Sequence, residues 1–449
     1  MALYERGAGG LGHALQQAIP CLIDSLQPQA NSVSLSEGWR RTCRRPESKD
    51  PEAAYTTATA RTFQPQEIKH REEPLPTLSI RLVLSGIALL TLPAAIAQSP
   101  SAVKINQIQV IGTHNSYHAG IAPSEAKVWQ AKYADAYKGL DYQHSPLPQQ
   151  FDAGVRQIEL DIYADTKGGL YAHPAGPGMA AAAGLPADPP FDPNGIMSKP
   201  GFKVMHVQDV DYRSNCQPFI ACLQQVRDWS RAHPSHVPIY VLVETKQGSP
   251  RGLKLTEPEP FTSATFDALD AEIRSVFPPS QTITPDDVRG RYETLNQAVL
   301  AGNWPRLESS RGKVVFLMDQ HTVGPVYLEG HPSLRGRMIF TNAEPGQPDA
   351  AFVERNEGPA AEIAALVKQG YLVRARTDAD TKQARVNDTS QRDAMIASGA
   401  QLLSTDYPAN EPARWPGHYF VALPQGVPAQ CDPVNAPADC AAKLALAPN

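Results

Sequence analysis

Ile111-Gly112-Thr113-His114-Asn115-Ser116-Tyr117-His118 is the stretch that decides how this chain folds. It continues a short apolar run, residues 105–110, that reads as a β-strand, so a histidine and a side-chain amide arrive together at a strand end. An imidazole placed there can stabilise a developing negative charge, and an amide oxygen can ligate a hard cation. A second strand, residues 156–162, carries Glu159-Leu160-Asp161, whose carboxylates share a face because strand side chains alternate. A His-Asn pair and a Glu-x-Asp pair on successive strand ends point to metal-assisted chemistry on a phosphodiester.

A chain of 449 residues can hold two or three domains, or a single large α/β barrel. Its hydrophobic share of 42% is enough for a core, and a formal net charge of -5 argues against non-specific nucleic-acid binding. The 42 prolines predict punctuated loops rather than long helices.

Residues 79–97 have the order of a secretory signal peptide: Arg81, an apolar core from Leu82 to Leu92, Pro93, and the small-x-small Ala95-Ile96-Ala97. A transmembrane anchor fits less well, because the uninterrupted run is too short for about 30 Å of hydrocarbon. Export with cleavage near Ala97 is therefore expected, giving a secreted or periplasmic protein. Residues 1–78 precede this signal and show no helix or strand pattern. A twin-arginine reading of Arg40-Arg41 fails on distance from the apolar run. With no methionine between Met1 and Met179, the leader reads as a non-native or disordered segment ahead of a true start near Leu75 or Leu78.

Cleavage would remove Cys21 and Cys43 and leave Cys216, Cys222, Cys431 and Cys440. An even number in an exported chain predicts disulfides, and of the three connectivities the short spacings favour Cys216–Cys222 and Cys431–Cys440. A zinc site is the rival, but there is no Cys-x-x-Cys spacing.

Strands are predicted at residues 105–111, 156–162, 202–207, 238–244, 313–319, 337–341, 371–376 and 400–405. Amphipathic helices are predicted at 219–232, 261–276 and 360–369, with a shorter one at 393–398. Eight strands alternating with helices, without a Gly-rich nucleotide fingerprint, favour a single-domain (β/α)8 TIM-type barrel, with a Pro/Ala-rich tail completing residues 98–449. Active residues of such a barrel lie at the C-terminal strand ends, where His114, Glu159, Asp161, His206 and Glu244 all fall. The Gly/Ala/Pro-dense loop 168–199 exposes Met179, Leu185, Phe191 and Met197 as candidates for lipid contact, although ordinary loop packing is the simpler expectation.

The segments Gly112-Thr113-His114-Asn115-Ser116-Tyr117, Glu159-Leu160-Asp161, Lys203-Val204-Met205-His206 and Val243-Glu244-Thr245-Lys246 resemble the phosphatidylinositol-specific phospholipase C superfamily, and more narrowly its secreted, calcium-dependent bacterial branch. The similarity spans residues 105–408. It implies a barrel, distorted in some relatives, and cleavage of phosphatidylinositol by attack of the inositol 2-hydroxyl, with diacylglycerol leaving. It implies that His114 stabilises charge on phosphorus and that His206 is the general acid. It also implies that Asn115, Glu159, Asp161 and Glu244 hold Ca²⁺, with Glu159 a candidate base. Three carboxylates and an amide independently suit a hard cation better than zinc. Two histidines can divide charge stabilisation from proton donation. The expected partners are a phosphodiester lipid and, transiently, a membrane surface; nucleic acid is not expected, and the chain is expected to be a monomer.

His173 competes with His206 for the acid role, but His206 has the better strand-end context. Lys246, Arg374 and Arg376 are candidates for phosphate or inositol contact, or for structural ion pairs. Asp209 and Asp211 follow His206 and can orient it. His118 is assigned to a loop, His233 and His236 read as solvated, and His321 as peripheral. A glycerophosphodiesterase of the same barrel type is the first alternative, although such relatives often carry His-Arg where this chain has His114-Asn115. A non-catalytic extracellular binding barrel is the second.

Overall fold

The computed structural model describes residues 102–248 and 255–445. The leader 1–78 and the signal segment 79–97 lie outside the described residues.

A 3-10 turn, Ile105–Gln107, precedes β1, Ile108–Thr113, so the first strand begins three residues later than its apolar run suggests. β2 spans Gln157–Tyr163, β3 Lys203–Val204, β4 Ile239–Thr245, β5 Thr282–Ile283 and β6 Val314–Met318. β7 spans Ile339–Phe340, β8 Phe352–Glu354, β9 Leu372–Arg376, β10 Leu402–Thr405 and β11 Gln430–Cys431. The runs Ile-Tyr-Val-Leu-Val in β4 and Val-Val-Phe-Leu-Met in β6 are buried throughout, as expected of parallel strands covered on both faces.

Parallel pairing runs β1–β2–β4–β6–β7 on one side and β1–β10–β9–β8 on the other. A single parallel bridge, Asn342 to Phe352, joins β7 to β8. The result is eight parallel strands curled into a distorted barrel. Side chains reinforce its two thin seams. Between β7 and β8, Asn342 Nδ2 donates to the Asp319 carbonyl at 2.7 Å while its Oδ1 accepts from Glu354 N at 3.1 Å. Between β1 and β2 the only ladder pair is Gly112 with Gln157, and Ser116 Oγ takes the Glu159 N–H at 2.8 Å. A Cβ on Gly112 would stand 2.7 Å from Gln157 Cβ, so close strand approach requires glycine there.

One predicted strand changes role. Of residues 202–207, only Lys203–Val204 pairs, and it pairs antiparallel with the end of β2, outside the barrel circuit. The chain then turns back on itself through the bridge between Val207 and Asp211, with Asp209 at φ 70°. The vacant barrel place belongs to β8, which was too short to recognise. β5 adds a further parallel segment beside the start of β6.

The helix Phe219–Ala232 buries Phe219, Cys222, Leu223, Val226 and Trp229, a stripe of helical period. The helix Ser263–Val276 starts two residues later than predicted because Thr262 caps it, accepting Thr265 N–H at its hydroxyl. The helix Ala360–Gln369 stops at Gly370, whose φ of 103° favours glycine.

Both expected disulfides are present, Cys216–Cys222 and Cys431–Cys440. The second anchors the tail, where β11 lies antiparallel on the start of β1. In the loop 168–199, Met197 is buried and Phe191 packs edge-on against Tyr212, so these two side chains turn inward. No helix among the described residues is long and apolar enough to cross a membrane.

His236, read as solvated, is instead buried. Its Nδ1 lies 2.6 Å from the Val237 carbonyl and must donate to it, while Nε2 stands 2.7 Å from Ser230 Oγ, a hydroxyl that also lies 3.3 Å from the Gly312 carbonyl. Burial pushes the His236 pKa down to about 4, which keeps the ring neutral near pH 7. The unfolded chain therefore takes up a proton that the native fold refuses as pH falls. Denaturation of wild type and His236→Gln across pH should show the stability gap constant above pH 6.5. Between pH 6.5 and 4 it should narrow by about 1.4 kcal/mol per pH unit. A gap that stays level through that window would contradict the neutral buried ring.

Candidate active site

β2 and β4 are neighbours in parallel register, with Asp161 directly opposite Glu244. Glu159, two residues before Asp161, shares its face. Glu159, Asp161 and Glu244 each bring one oxygen within 4.8 Å of the others. Three carboxylates this close need compensation. Lys246 Nζ stands 2.8 Å from Asp161 Oδ2 and 2.8 Å from Glu244 Oε1, and Arg374 reaches Glu159 Oε2 at 2.5 Å.

The compensation is partial. Burial pushes Glu159 up to about 7 against the pull of Arg374. Asp161 is raised well above the ordinary carboxylate range, by burial first and Glu244 second. Burial would raise Glu244 as well, but Lys246 beside it brings it below its usual value. Both Asp161 oxygens are buried without an aligned hydrogen bond, despite the Lys246 ammonium nearby. Buried carboxylate oxygens short of hydrogen bonds in an all-oxygen cluster are what a hard divalent cation satisfies, so these residues fit Ca²⁺.

Asn115 adopts the left-handed conformation at φ 46° just beyond β1. Its Nδ2 donates to Tyr142 Oη at 2.9 Å and its Oδ1 accepts from Tyr117 Oη at 3.3 Å, so the amide is pinned between two tyrosines.

His114 continues the β1–β10 ladder through its N–H to the Thr405 carbonyl at 3.0 Å. Its Nδ1 lies 2.8 Å from Asp406 Oδ1 and its Nε2 3.7 Å from Glu159 Oε1. Asp406 is itself clamped by Arg376 at 3.1 and 3.2 Å. With Nδ1–H turned to Asp406, Nε2 points toward the carboxylate cluster. Burial, aided by Arg376 and Arg374, holds the His114 pKa well below its ordinary value, so the ring is neutral. His144 Nε2 donates to the His114 carbonyl at 2.9 Å, its Nδ1 facing Glu411 Oε2 at 2.7 Å.

His206 follows β3, where Met205 N–H bonds the Asp161 carbonyl at 3.2 Å. Its Nδ1 is 2.8 Å from Asp211 Oδ2, and the same carboxylate takes His118 Nε2 at 2.9 Å. Burial lowers the His206 pKa while Asp211 opposes the shift. His118 lies in the loop after β1, as expected, but it is buried and partners Asp211. His173 is exposed, and His321 pairs on the surface with Glu344 at 3.3 Å. Arg374 and Arg376 are buried, the two terminal nitrogens of Arg374 bonded to Glu159, Glu354, Asn356 and Ser404, and Arg376 bonded to Asp406 and the Asp378 carbonyl.

Sequence reasoning overlooked Asp406, Tyr142 and His144. Asp406 had a usable signal, since it directly follows the last strand of the barrel. The other two sit in a long connection with no strand end to mark them.

The family model described as "Phosphoinositide phospholipase C, Ca2+-dependent" matches residues 103–433. No curated protein matches the chain. Solved structures similar to it include a calcium-dependent phosphoinositol-specific phospholipase C from Pseudomonas sp., in a myo-inositol complex. That enzyme is 16% identical over 74% of this chain and 96% of its own, with a TM-score of 0.43. A Ca²⁺-dependent phosphatidylinositol-specific phospholipase C from Streptomyces antibioticus is 18% identical over 68% of this chain and 95% of its own, with a TM-score of 0.42. The phosphatidylinositol-specific phospholipase C of Listeria monocytogenes is 15% identical over 69% and 92%, with a TM-score of 0.38. On the family match, which covers most of its length, the chain belongs to the Ca²⁺-dependent phosphoinositide phospholipase C family.

Proposed function

We propose that this protein is an exported phosphodiesterase that cleaves phosphatidylinositol, releasing diacylglycerol and an inositol phosphate, cyclic or linear. The observation that carries the reading is a cluster of buried Glu159 and Asp161 with half-buried Glu244, flanked by two histidines, each backed by its own aspartate. Such a centre can take a proton on one side of a phosphodiester and return one on the other.

Glu159, Asp161 and Glu244, with Asn115 alongside, would hold Ca²⁺, which when bound supplies charge neutralisation for a phosphate oxygen and acidifies a coordinated hydroxyl. The remaining work falls to the chain. Neutral His114, its Nδ1–H committed to Asp406, offers Nε2 as a proton acceptor for the inositol 2-hydroxyl, with Glu159 as the neighbouring carboxylate that can share that proton. Once protonated, the imidazolium is stabilised by Asp406 and supplies the charge stabilisation expected from the sequence. His206, oriented by Asp211, delivers a proton to the departing diacylglycerol oxygen. Arg374 and Arg376 position Glu159 and Asp406, and Lys246 balances the cluster next to the phosphate. A glycerophosphodiesterase reading gains nothing from this geometry. A non-catalytic barrel would have no need of two intact histidine–aspartate pairs.

Export is supported by the two disulfides, which suit an oxidising compartment, and by the order of residues 79–97. The leader 1–78 would not belong to the mature chain. N-terminal sequencing of the secreted protein should begin just after Ala97; a mature chain retaining residues before Ile80 would defeat this assignment.

Phosphorus NMR of the protein with phosphatidylinositol should show a new inositol phosphate signal in calcium, none in excess chelator, and recovery on calcium re-addition. Full turnover in chelator would remove the cation from the mechanism. Asp406→Asn should leave the fold intact and lower turnover by about 10²–10⁴, because an amide no longer fixes the His114 tautomer. His206→Ala should lose several orders of magnitude in turnover and His173→Ala almost nothing; the reverse ranking would transfer the acid role to His173.

A further inference from the structure

We propose that Glu411 and His144 act together as a brace for the turn at residues 114–118, two positioning residues that hold His114 at its strand end. The inference deepens the phosphatidylinositol reading above and rests on it, since a brace matters to turnover only if His114 takes part in the reaction.

The turn leaves β1 and includes Asn115 in the left-handed region, a conformation that needs support from its surroundings. His144 spans it from end to end. Its backbone N–H donates to the His118 carbonyl at 2.9 Å, and its Nε2 donates to the His114 carbonyl at 2.9 Å. One residue thus fastens both ends of the turn. Asn215 secures that residue in its place, donating from Nδ2 to the His144 carbonyl at 2.6 Å and from its N–H to the Tyr117 carbonyl at 2.8 Å.

The ring depends on Glu411. Both of its nitrogens face acceptors, Nε2 the His114 carbonyl and Nδ1 the Glu411 Oε2 at 2.7 Å, so both donate. A buried ring that donates from both nitrogens carries a charge, which needs an opposite charge beside it. Burial would raise the Glu411 carboxyl, but the bond from His144 brings it below its usual value. Its other oxygen accepts the Ser145 N–H at 2.8 Å, so the carboxylate grips His144 and its neighbour together. With both nitrogens committed and no side-chain surface exposed, His144 has no proton to deliver to a substrate. Holding the turn is the work left to it.

The segment after β10 therefore reaches His114 twice. Asp406 meets the ring at Nδ1, and five residues on Glu411 reaches the backbone carbonyl through His144. Side chain and main chain of one histidine are fixed from the same strand end, which constrains both the position and the direction of its Nε2. Arg414 pairs with Asp141 and joins the same two segments a second time, so removing the Glu411 carboxylate leaves them attached.

Turnover of a monomeric short-chain phosphatidylinositol and amide hydrogen exchange without substrate read the brace separately. Glu411→Ala should lower kcat by about 10–100-fold with KM within about twofold of wild type. Glu411→Gln, which offers one acceptor oxygen to two donors, should fall between the two. Because Glu411 works through His144, adding Glu411→Ala to His144→Ala should slow turnover no further; His144→Gln takes its place in the cycle if His144→Ala does not fold. The Ser116 and His118 amides should exchange at least about tenfold faster in Glu411→Ala, with the β4 amides unchanged. Glu344→Ala, which strips an exposed carboxylate from His321, should alter neither readout. Wild-type kcat in Glu411→Ala, losses that multiply in the double variant, or faster exchange confined to residues 407–421 would each overturn the proposal. A wild type without turnover in calcium would instead refute the catalytic reading, and the exchange measurement would then decide the brace by itself.

Discussion

Everything in this site depends on the cost of burying Glu159, Asp161 and Glu244 side by side. Carboxylates taken out of water lose hydration that only opposite charge or hydrogen bonding can replace. The fold supplies Arg374 from β9 and Lys246 from the end of β4, two cations against three acids. The deficit appears as a Glu159 pushed up to about 7 and an Asp161 held well above the ordinary carboxylate range. A core arranged only for stability would not leave Asp161 without an aligned hydrogen bond; a core arranged to receive a divalent cation would.

The same shortage of charge organises the histidines. Arg376 lies two residues beyond Arg374 on β9, hence on the same face, and clamps Asp406 at the end of β10. Asp406 then orients His114, whose Nε2 is directed back toward Glu159. Two arginines on one strand thus link the His114–Asp406 pair to the cation cluster. Asp211 does comparable work for His206, and its second bond, to buried His118, keeps it from rotating away.

How much of this was legible depended on how local the signal was. β4 and β6 were readable as nearly continuous apolar runs, as strands buried on both faces require, and β1, β2, β9 and β10 as short apolar runs interrupted or ended by polar residues. β8 was not, because three residues between turns give no period to detect. Residues 202–207 misled because Phe202, Val204 and Met205 imitate a buried strand, while the left-handed Asp209 that folds the segment back is a backbone property. In the site, the cluster acids were visible from alternation along two strands. Asp406 was marked only by its place after the last strand; its role lies in the pairing of β10 with β1, which brings it to His114 from the far end of the sequence.

The distortion of the barrel and the position of the site have a common origin. β1 and β2 share a single ladder pair, so the strand ends splay where His114 and Glu159 emerge. Ser116 bridges the gap with backbone and side chain, donating to the Glu159 carbonyl and accepting its N–H, while Gly112 permits the approach below. A fully laddered seam would have aligned residue 114 with backbone partners on β2 rather than with the Glu159 side chain. The opening motif is therefore as much a seam as a set of catalytic groups: its glycine and Ser116 set the separation that lets its histidine and asparagine work.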